Sequence, residues 1–222
     1  MRIAALLSGA LLALAAPAAA SPAKDWSARV EATAEGGYRM GNPDAPLKLV
    51  EFLSLTCGHC ADFANEAMPR VKEKVRAGRV SVEYRNHVLN HYDLAAGVVS
   101  RCAAPAHYFA LTEAYLAEQD SWAARIDTLT PAQKAEIEVE PTPATVRRTA
   151  ELLGLKEIAG RHGVTPAAAD ACLADPARIR QLLVMGDAAE QLGVEGTPTF
   201  MLNGTLIGPP NWSSLEPVLG QP

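Results

Sequence analysis

Between Asp93 and about Leu192 the chain is alanine-rich and helix-periodic with almost no strand signal, yet strand text flanks this stretch on both sides. Upstream, Leu47 to Leu53 (LKLVEFL) is apolar on both faces apart from Lys48 and Glu51, the pattern of a strand buried within a sheet. Val80 to Tyr84 alternates as a strand, and Val30 to Met40 reads as extended. Between these strands a helix starts near Cys57, is kinked by Pro69 and ends at Gly78; proline lacks the N–H and crowds the preceding turn. Downstream, Thr197 to Leu202, an Asn203-Gly204 turn and Thr205 to Gly208 form a hairpin, followed by a helix from Ser213 to Leu219. Inside the helical stretch Thr130-Pro131, Thr142-Pro143 and Thr165-Pro166 mark helix starts, each with proline at the first helical position. The order predicts an α/β sheet interrupted by a helical insertion.

The first residues carry a separate signal. Arg2 precedes an apolar run from Ile3 to Ala16, then Pro17-Ala18-Ala19-Ala20 and Ser21. A positive start, a short hydrophobic run and an A-x-A site predict a secretory leader over residues 1–20, cleaved after Ala20. The run is interrupted by Ser8, Gly9 and Pro17, which argues against a membrane anchor, and no cysteine follows the site to take a lipid. Export places the protein in the periplasm, where thiols can be oxidised and kept so. With a net charge of −5 and no basic cluster, nothing supplies the counterion release that nucleic-acid binding needs.

Of the 4 cysteines, Cys57 and Cys60 stand in Cys57-Gly58-His59-Cys60, after a buried strand and at the head of a helix. Unsatisfied N–H groups and the macrodipole there favour an anion, so a Cys57 thiolate gains stability. His59 can lower the thiol further as a cation or a hydrogen-bond donor; the plainer alternative is a solvated loop histidine. A stabilised thiolate is a good leaving group, and stabilising the reduced form makes the disulfide an oxidant. A zinc site is the competing use of C-x-x-C. His87 and His91 have H-x-x-x-H spacing, but they are too far from Cys60 for a finger and His87 falls at a strand end, so no metal is expected. A purely structural disulfide is the other alternative.

Gly196-Thr197-Pro198-Thr199-Phe200 makes the pattern specific. C-G-H-C at the head of a kinked helix together with a late G-T-P-T-F resembles the thioredoxin superfamily, and the long helical stretch and Gly41-Asn42-Pro43-Asp44-Ala45-Pro46 resemble its DsbA-like branch. The resemblance implies a thioredoxin fold with an inserted all-helical domain: residues 21–92 and 193–222 form the thioredoxin-like part and 93–192 the insertion. It also implies a cis Pro198 against the active-site pair, Cys57 as exposed nucleophile and Cys60 as buried resolving partner. His59 would tune the pair, while Gly58, Thr197 and Pro198 would shape a groove in which an extended peptide pairs with the Thr197 backbone. DsbA itself has Pro-His between its cysteines; Gly58-His59 is the dipeptide of eukaryotic protein disulfide isomerase.

Glu51 can be read without the family. It shares a strand face with Leu47, Leu49 and Leu53, so its carboxyl is buried with its pKa raised, or it reaches solvent at a strand end. Buried beneath the cysteines, it would exchange a proton with Cys60 as a general base. Cys102 and Cys172 both fall in the helical stretch, Cys102 near the end of a helix over Leu94–Ala103 and Cys172 within Ala167–Leu173. A structural disulfide between them is expected, as in some DsbA-like proteins; otherwise they pack as two small buried hydrophobes. The helix from His107 to Ala117 carries aromatics that read as core, and Trp212 reads as packing with no functional role.

The expected function is thiol:disulfide oxidation of reduced exported proteins. The resemblance implies reoxidation by a quinone-linked membrane protein of the DsbB kind and no bound cofactor. Isomerase or reductase action is the alternative, and a peptide-binding chaperone is the non-enzymatic one. Secreted isomerases of this resemblance dimerise through an N-terminal domain; the short stretch between Ala20 and Asn42 has no room for one, so a monomer is expected.

Overall fold

The computed structural model describes residues 24–208 and 211–220; the leader expected over residues 1–20 and Pro209-Pro210 lie outside them. The chain enters through β1 (Val30–Ala32) and β2 (Tyr38–Gly41), which pair antiparallel with Val30 opposite Met40. The single extended run expected from Val30 to Met40 is therefore a hairpin. Its turn depends on glycine: Gly36 has φ +86°, and a Cβ on Gly37 would lie 2.5 Å from Glu83 Oε1 and 2.8 Å from the Tyr84 carbonyl oxygen.

β3 (Leu47–Leu53) leads into α1 (Gly58–Glu66) and α2 (Met68–Arg76), and the chain returns through β4 (Val80–Asn86) parallel to β3. Pro69 acts as expected but more sharply, since two helices meet at Ala67 with Pro69 in the first turn of the second. Eight helices then intervene: α3 (His91–Ser100), α4 (Tyr108–Ala117), α5 (Gln119–Asp127), α6 (Pro131–Ile137), α7 (Pro143–Leu152), α8 (Leu155–Arg161), α9 (Pro166–Leu173) and α10 (Pro176–Gln191). Thr130, Thr142 and Thr165 cap α6, α7 and α9 through their hydroxyls, the first two in reciprocal capping boxes. Asp175 caps α10 before Pro176 in the same way, a start that the Thr-Pro reading passed over.

The hairpin of β5 (Thr199–Leu202) and β6 (Thr205–Ile207) turns at Asn203 and Gly204, both with positive φ (49° and 85°), and α11 (Trp212–Leu219) follows. The sheet order is β1-β2-β4-β3-β5-β6, mixed, with only β3 and β4 parallel. One sheet face, carrying Leu49, Leu53, Val82, Tyr84 and Phe200, meets α1 to α4 in the main core. The other, carrying Val50 and Phe52, packs with Ala189 and Val194 in a smaller cluster. β4 does not alternate between core and solvent as its sequence suggests, because Glu83 is also buried, held by Arg85 Nε at 2.7 Å and the Thr33 hydroxyl at 2.7 Å.

Cys102 and Cys172 are joined by a disulfide with Cα atoms 5.7 Å apart. Cys102 lies just beyond α3 rather than in it, since Arg101 and Cys102 donate back three residues to Val98 and Val99 and close the helix at Ser100. Tyr108 and Phe109 of α4 are core residues, Tyr108 stacked on Tyr38 with ring centroids 4.2 Å apart and Phe109 tilted against Tyr84 at 4.6 Å. Among the described residues no helix is long and apolar enough to cross a membrane.

Candidate active site

The strand β3 ends in a short loop, Ser54-Leu55-Thr56, that delivers Cys57 to the N-cap of α1. Two side chains from the helical segment hold this loop. Asp93, buried in the first turn of α3, accepts from the Leu55 N–H at 2.8 Å and the Leu89 N–H at 2.9 Å. Gln119, at the head of α5, donates from Nε2 to the carbonyls of Leu55 at 2.8 Å and Cys57 at 3.1 Å. Burial pushes the Asp93 carboxyl up to about 6, although hydrogen bonds from Ser54, Leu89 and Leu55 oppose the rise. Neither residue carried a motif, and only packing reveals their part.

Cys57 and Cys60 are free thiols with different surroundings. Cys57 is half-buried, and its pKa falls to about 5: the Cys60 thiol donates to it, the Thr197 side chain adds a second donor, and the N–H groups of Cys60 and His59 point at it from the helix terminus. Burial opposes this fall without overcoming it. Cys60 is fully buried, and its pKa is driven far up by its bond to Cys57, by burial and by the charge of Glu51. One thiol is thus primed to ionise while its neighbour stays protonated.

The loop before β5 completes the site. The Thr197–Pro198 peptide is cis, and the Cys57 Sγ–H donates to the Thr197 carbonyl oxygen at 3.2 Å. The Thr197 hydroxyl is buried and has no protein partner while Cys57 is a thiol, so it is free to donate once the sulfur is an anion. Between α1 and this loop runs a groove of about 510 Å³ whose lining includes Phe63 and Trp212, Thr197 and Pro198, and the acidic Asp62 and Glu66. Trp212, to which the sequence assigned no role, is therefore a groove residue; its distance in sequence from Cys57 hid this.

Gly58 is exposed, and a Cβ there would meet nothing closer than Gln119 Oε1 at 4.0 Å, so the position tolerates larger side chains. The His59 side chain is 87% exposed at the edge of the groove, with Nδ1 3.8 Å from Asp62. The His59 backbone N–H is one of the groups that lower the Cys57 thiol. Glu51 is only 1% exposed, with both carboxyl oxygens unpartnered, and burial raises its pKa well above the carboxylate range, helped by the charges of Glu113 and Cys57. Its side chain does not reach solvent at a strand end. His87 is buried beyond β4 and His91 opens α3; no group of three or more His, Cys, Asp or Glu side chains among the described residues is placed to hold a metal ion.

Residues 33–220 match the thioredoxin family model. A protein of Rickettsia bellii named for protein-disulfide oxidoreductase activity is 27% identical over 174 residues, covering 77% of this chain and 58% of its own length. This chain spans little more than half the length of the curated relatives it matches. Among solved structures, the protein-disulfide isomerase of Novosphingobium aromaticivorans is 31% identical with a TM-score of 0.77, covering 83% of this chain and 95% of that one. DsbA1 of Wolbachia pipientis shares the fold at 23% identity and a TM-score of 0.65, covering 82% and 87%. The chain belongs to the thioredoxin family, and its architecture is the DsbA-like one, a thioredoxin sheet interrupted by helices.

Proposed function

We propose that this protein is an exported thiol:disulfide oxidoreductase that oxidises dithiols in other exported proteins. The observation that carries the reading is the asymmetry of the cysteine pair: Cys57 half-exposed at a helix N-terminus with its pKa lowered to about 5, Cys60 buried and held protonated. A substrate thiolate attacks Cys57 Sγ of the oxidised pair; the Cys57–Cys60 bond breaks, and Cys60 leaves as a thiolate that takes up a proton. A second substrate thiolate then attacks the substrate sulfur of the mixed disulfide and expels Cys57 as a thiolate. The substrate loses two electrons and the cysteine pair gains them. Stabilising the Cys57 thiolate favours this direction, because it lowers the free energy of the reduced enzyme.

The groove beside Pro198, lined by Thr197 and Pro198, supports binding of an extended peptide segment, and exposed Gly58 next to Cys57 would leave its approach open. A membrane quinone-linked protein of the DsbB kind would restore the disulfide, and the protein would act in the periplasm as a monomer. Isomerase action is the second reading, favoured by Gly58 and by the isomerase name of the Novosphingobium structure. Redox titration of the purified protein in glutathione buffers, with alkylation trapping of Cys57, tests the choice. A potential near about −120 mV is expected for an oxidase; about −180 mV favours the isomerase and about −270 mV a reductase. A pair that never interconverts overturns the enzymatic reading in favour of a peptide-binding protein.

A further inference from the structure

Beneath Cys60 the main core contains a group of buried, unpartnered polar atoms that the groove does not explain. Glu51 of β3 sits directly opposite Tyr84 of β4 in the sheet register. The Tyr84 ring packs 4.6 Å from Phe109 of α4, and Glu113 lies one turn further along the same helix face. Both oxygens of Glu51, the Tyr84 hydroxyl and Glu113 Oε1 are buried without a protein hydrogen-bond partner. Four such oxygens in one stretch of core need polar contacts, and internal water is the usual supplier. Glu113 also faces outward: its Oε2 accepts from Lys72 Nζ of α2, and the two side chains are 22% and 29% exposed.

We propose that Glu113 is the outer end of a proton path, exchanging protons between solvent and Glu51 and acting on Cys60 only through Glu51. This deepens the oxidoreductase reading and rests on it. When substrate opens the disulfide, Cys60 leaves as a thiolate and takes the Glu51 proton; the Glu51 carboxylate is then reprotonated from the Glu113 side. When Cys60 resolves a mixed disulfide the proton runs the other way, from Cys60 to Glu51 to Glu113 and out. A carboxyl sealed in apolar core cannot turn over protons at each cycle, and Glu113 gives it an outlet. The charged and titratable groups acting here are Lys72 from α2, Glu51 from β3, Tyr84 from β4, and Cys57 and Cys60 at the head of α1. Burial raises the Glu113 pKa and Lys72 opposes the rise, which keeps the group able to give and take a proton.

The test follows release of glutathione from a Cys57–glutathione mixed disulfide by stopped flow, across pH 5 to 9, in the intact protein. Glu113→Gln is expected to slow release about tenfold at neutral pH, less than the 10²–10⁴ of a general acid or base acting directly, because Glu113 acts through Glu51. Glu113→Asp is expected to restore most of the rate, and Lys72→Met to move the midpoint of the pH profile upward. In a Glu51→Gln background, Glu113→Gln should have no further effect, since both act on one path. Wild-type rates and pH profile in Glu113→Gln, or effects of the two substitutions that multiply, would overturn the path. A wild-type mixed disulfide that Cys60 never resolves overturns the path and the oxidoreductase reading together, so the two failures are told apart by the parent protein.

Discussion

Thr197→Val removes one hydroxyl and almost nothing else, because valine is nearly isosteric with threonine and position 197 keeps the carbonyl that contacts Cys57. The Thr197 hydroxyl has no other protein partner, so the substitution breaks no bond in the dithiol state. In the thiolate state it removes a donor to an anion. Hydrogen bonds to charged groups are worth about 1.5–3 kcal/mol. Cys57 is half-exposed, and solvent screening reduces that to about 1–1.5 kcal/mol. At 1.36 kcal/mol per pKa unit, the Cys57 midpoint should rise by about one unit from about 5. Raising the thiolate free energy destabilises the reduced enzyme, so the potential should fall by about 30 mV, making the protein a weaker oxidant. Thiolate absorbance of the reduced protein against pH reads the first change, and a glutathione titration the second. An unmoved midpoint in a folded variant would falsify the hydroxyl's role and leave the helix N–H groups and Cys60 as the only donors.

Two further outcomes follow from the buried groups and the bridge. Glu51 has a folded pKa above its unfolded value of 4.5, so the native state holds the proton longer, and stability is lost as pH rises from 4.5 toward the folded value at about 1.4 kcal/mol per unit. Glu51→Gln should abolish that slope and be more stable than wild type at neutral pH in urea titrations; parallel pH dependences would show that Glu51 ionises freely in the fold. Replacing Cys102 and Cys172 together by serine opens a covalent loop with a sequence separation of 70, which the chain-entropy model values at about 4 kcal/mol. Urea unfolding should record a loss of that order, and a difference under 1 kcal/mol would mean that the helices confine the unfolded chain as well as the bridge does.

Much of the site was legible in the sequence because its signals are local. A Cys at a helix N-cap, a proline that breaks a helix, threonine caps followed by proline and an Asn-Gly turn each act within four residues, and each appears where the pattern put it. Glu51 shares its strand face with Leu47, Leu49 and Leu53, which made burial one of two readings open from the sequence, and the fold took it. Where sequence reading failed, the deciding contact was distant. The β1–β2 hairpin was missed because Gly37 is needed by the approach of Glu83 and Tyr84, not by its own neighbours. The exposure of the His59 side chain and its place beside Asp62 were likewise set by the fold, and they match the solvated-loop alternative that the sequence left open.

The sequence by itself determined the helical interruption of the sheet, the strands on either side of it apart from the split of the first into β1 and β2, and the placing of Cys57 and Cys60 at a strand–helix junction. These depend on backbone propensity, capping and periodicity, which neighbouring residues set. The preference for a Cys57 thiolate was already legible at the helix head; only the tertiary structure added the Thr197 loop that meets Cys57 and the Glu51 charge that acts on Cys60. It also brought Asp93 and Gln119 under the active-site loop, Trp212 into the groove and Glu113 toward Glu51. Those meetings arise from packing the helical segment and the last helix against one sheet. Burial and through-space charge act over ångströms of distance and are indifferent to separation along the chain.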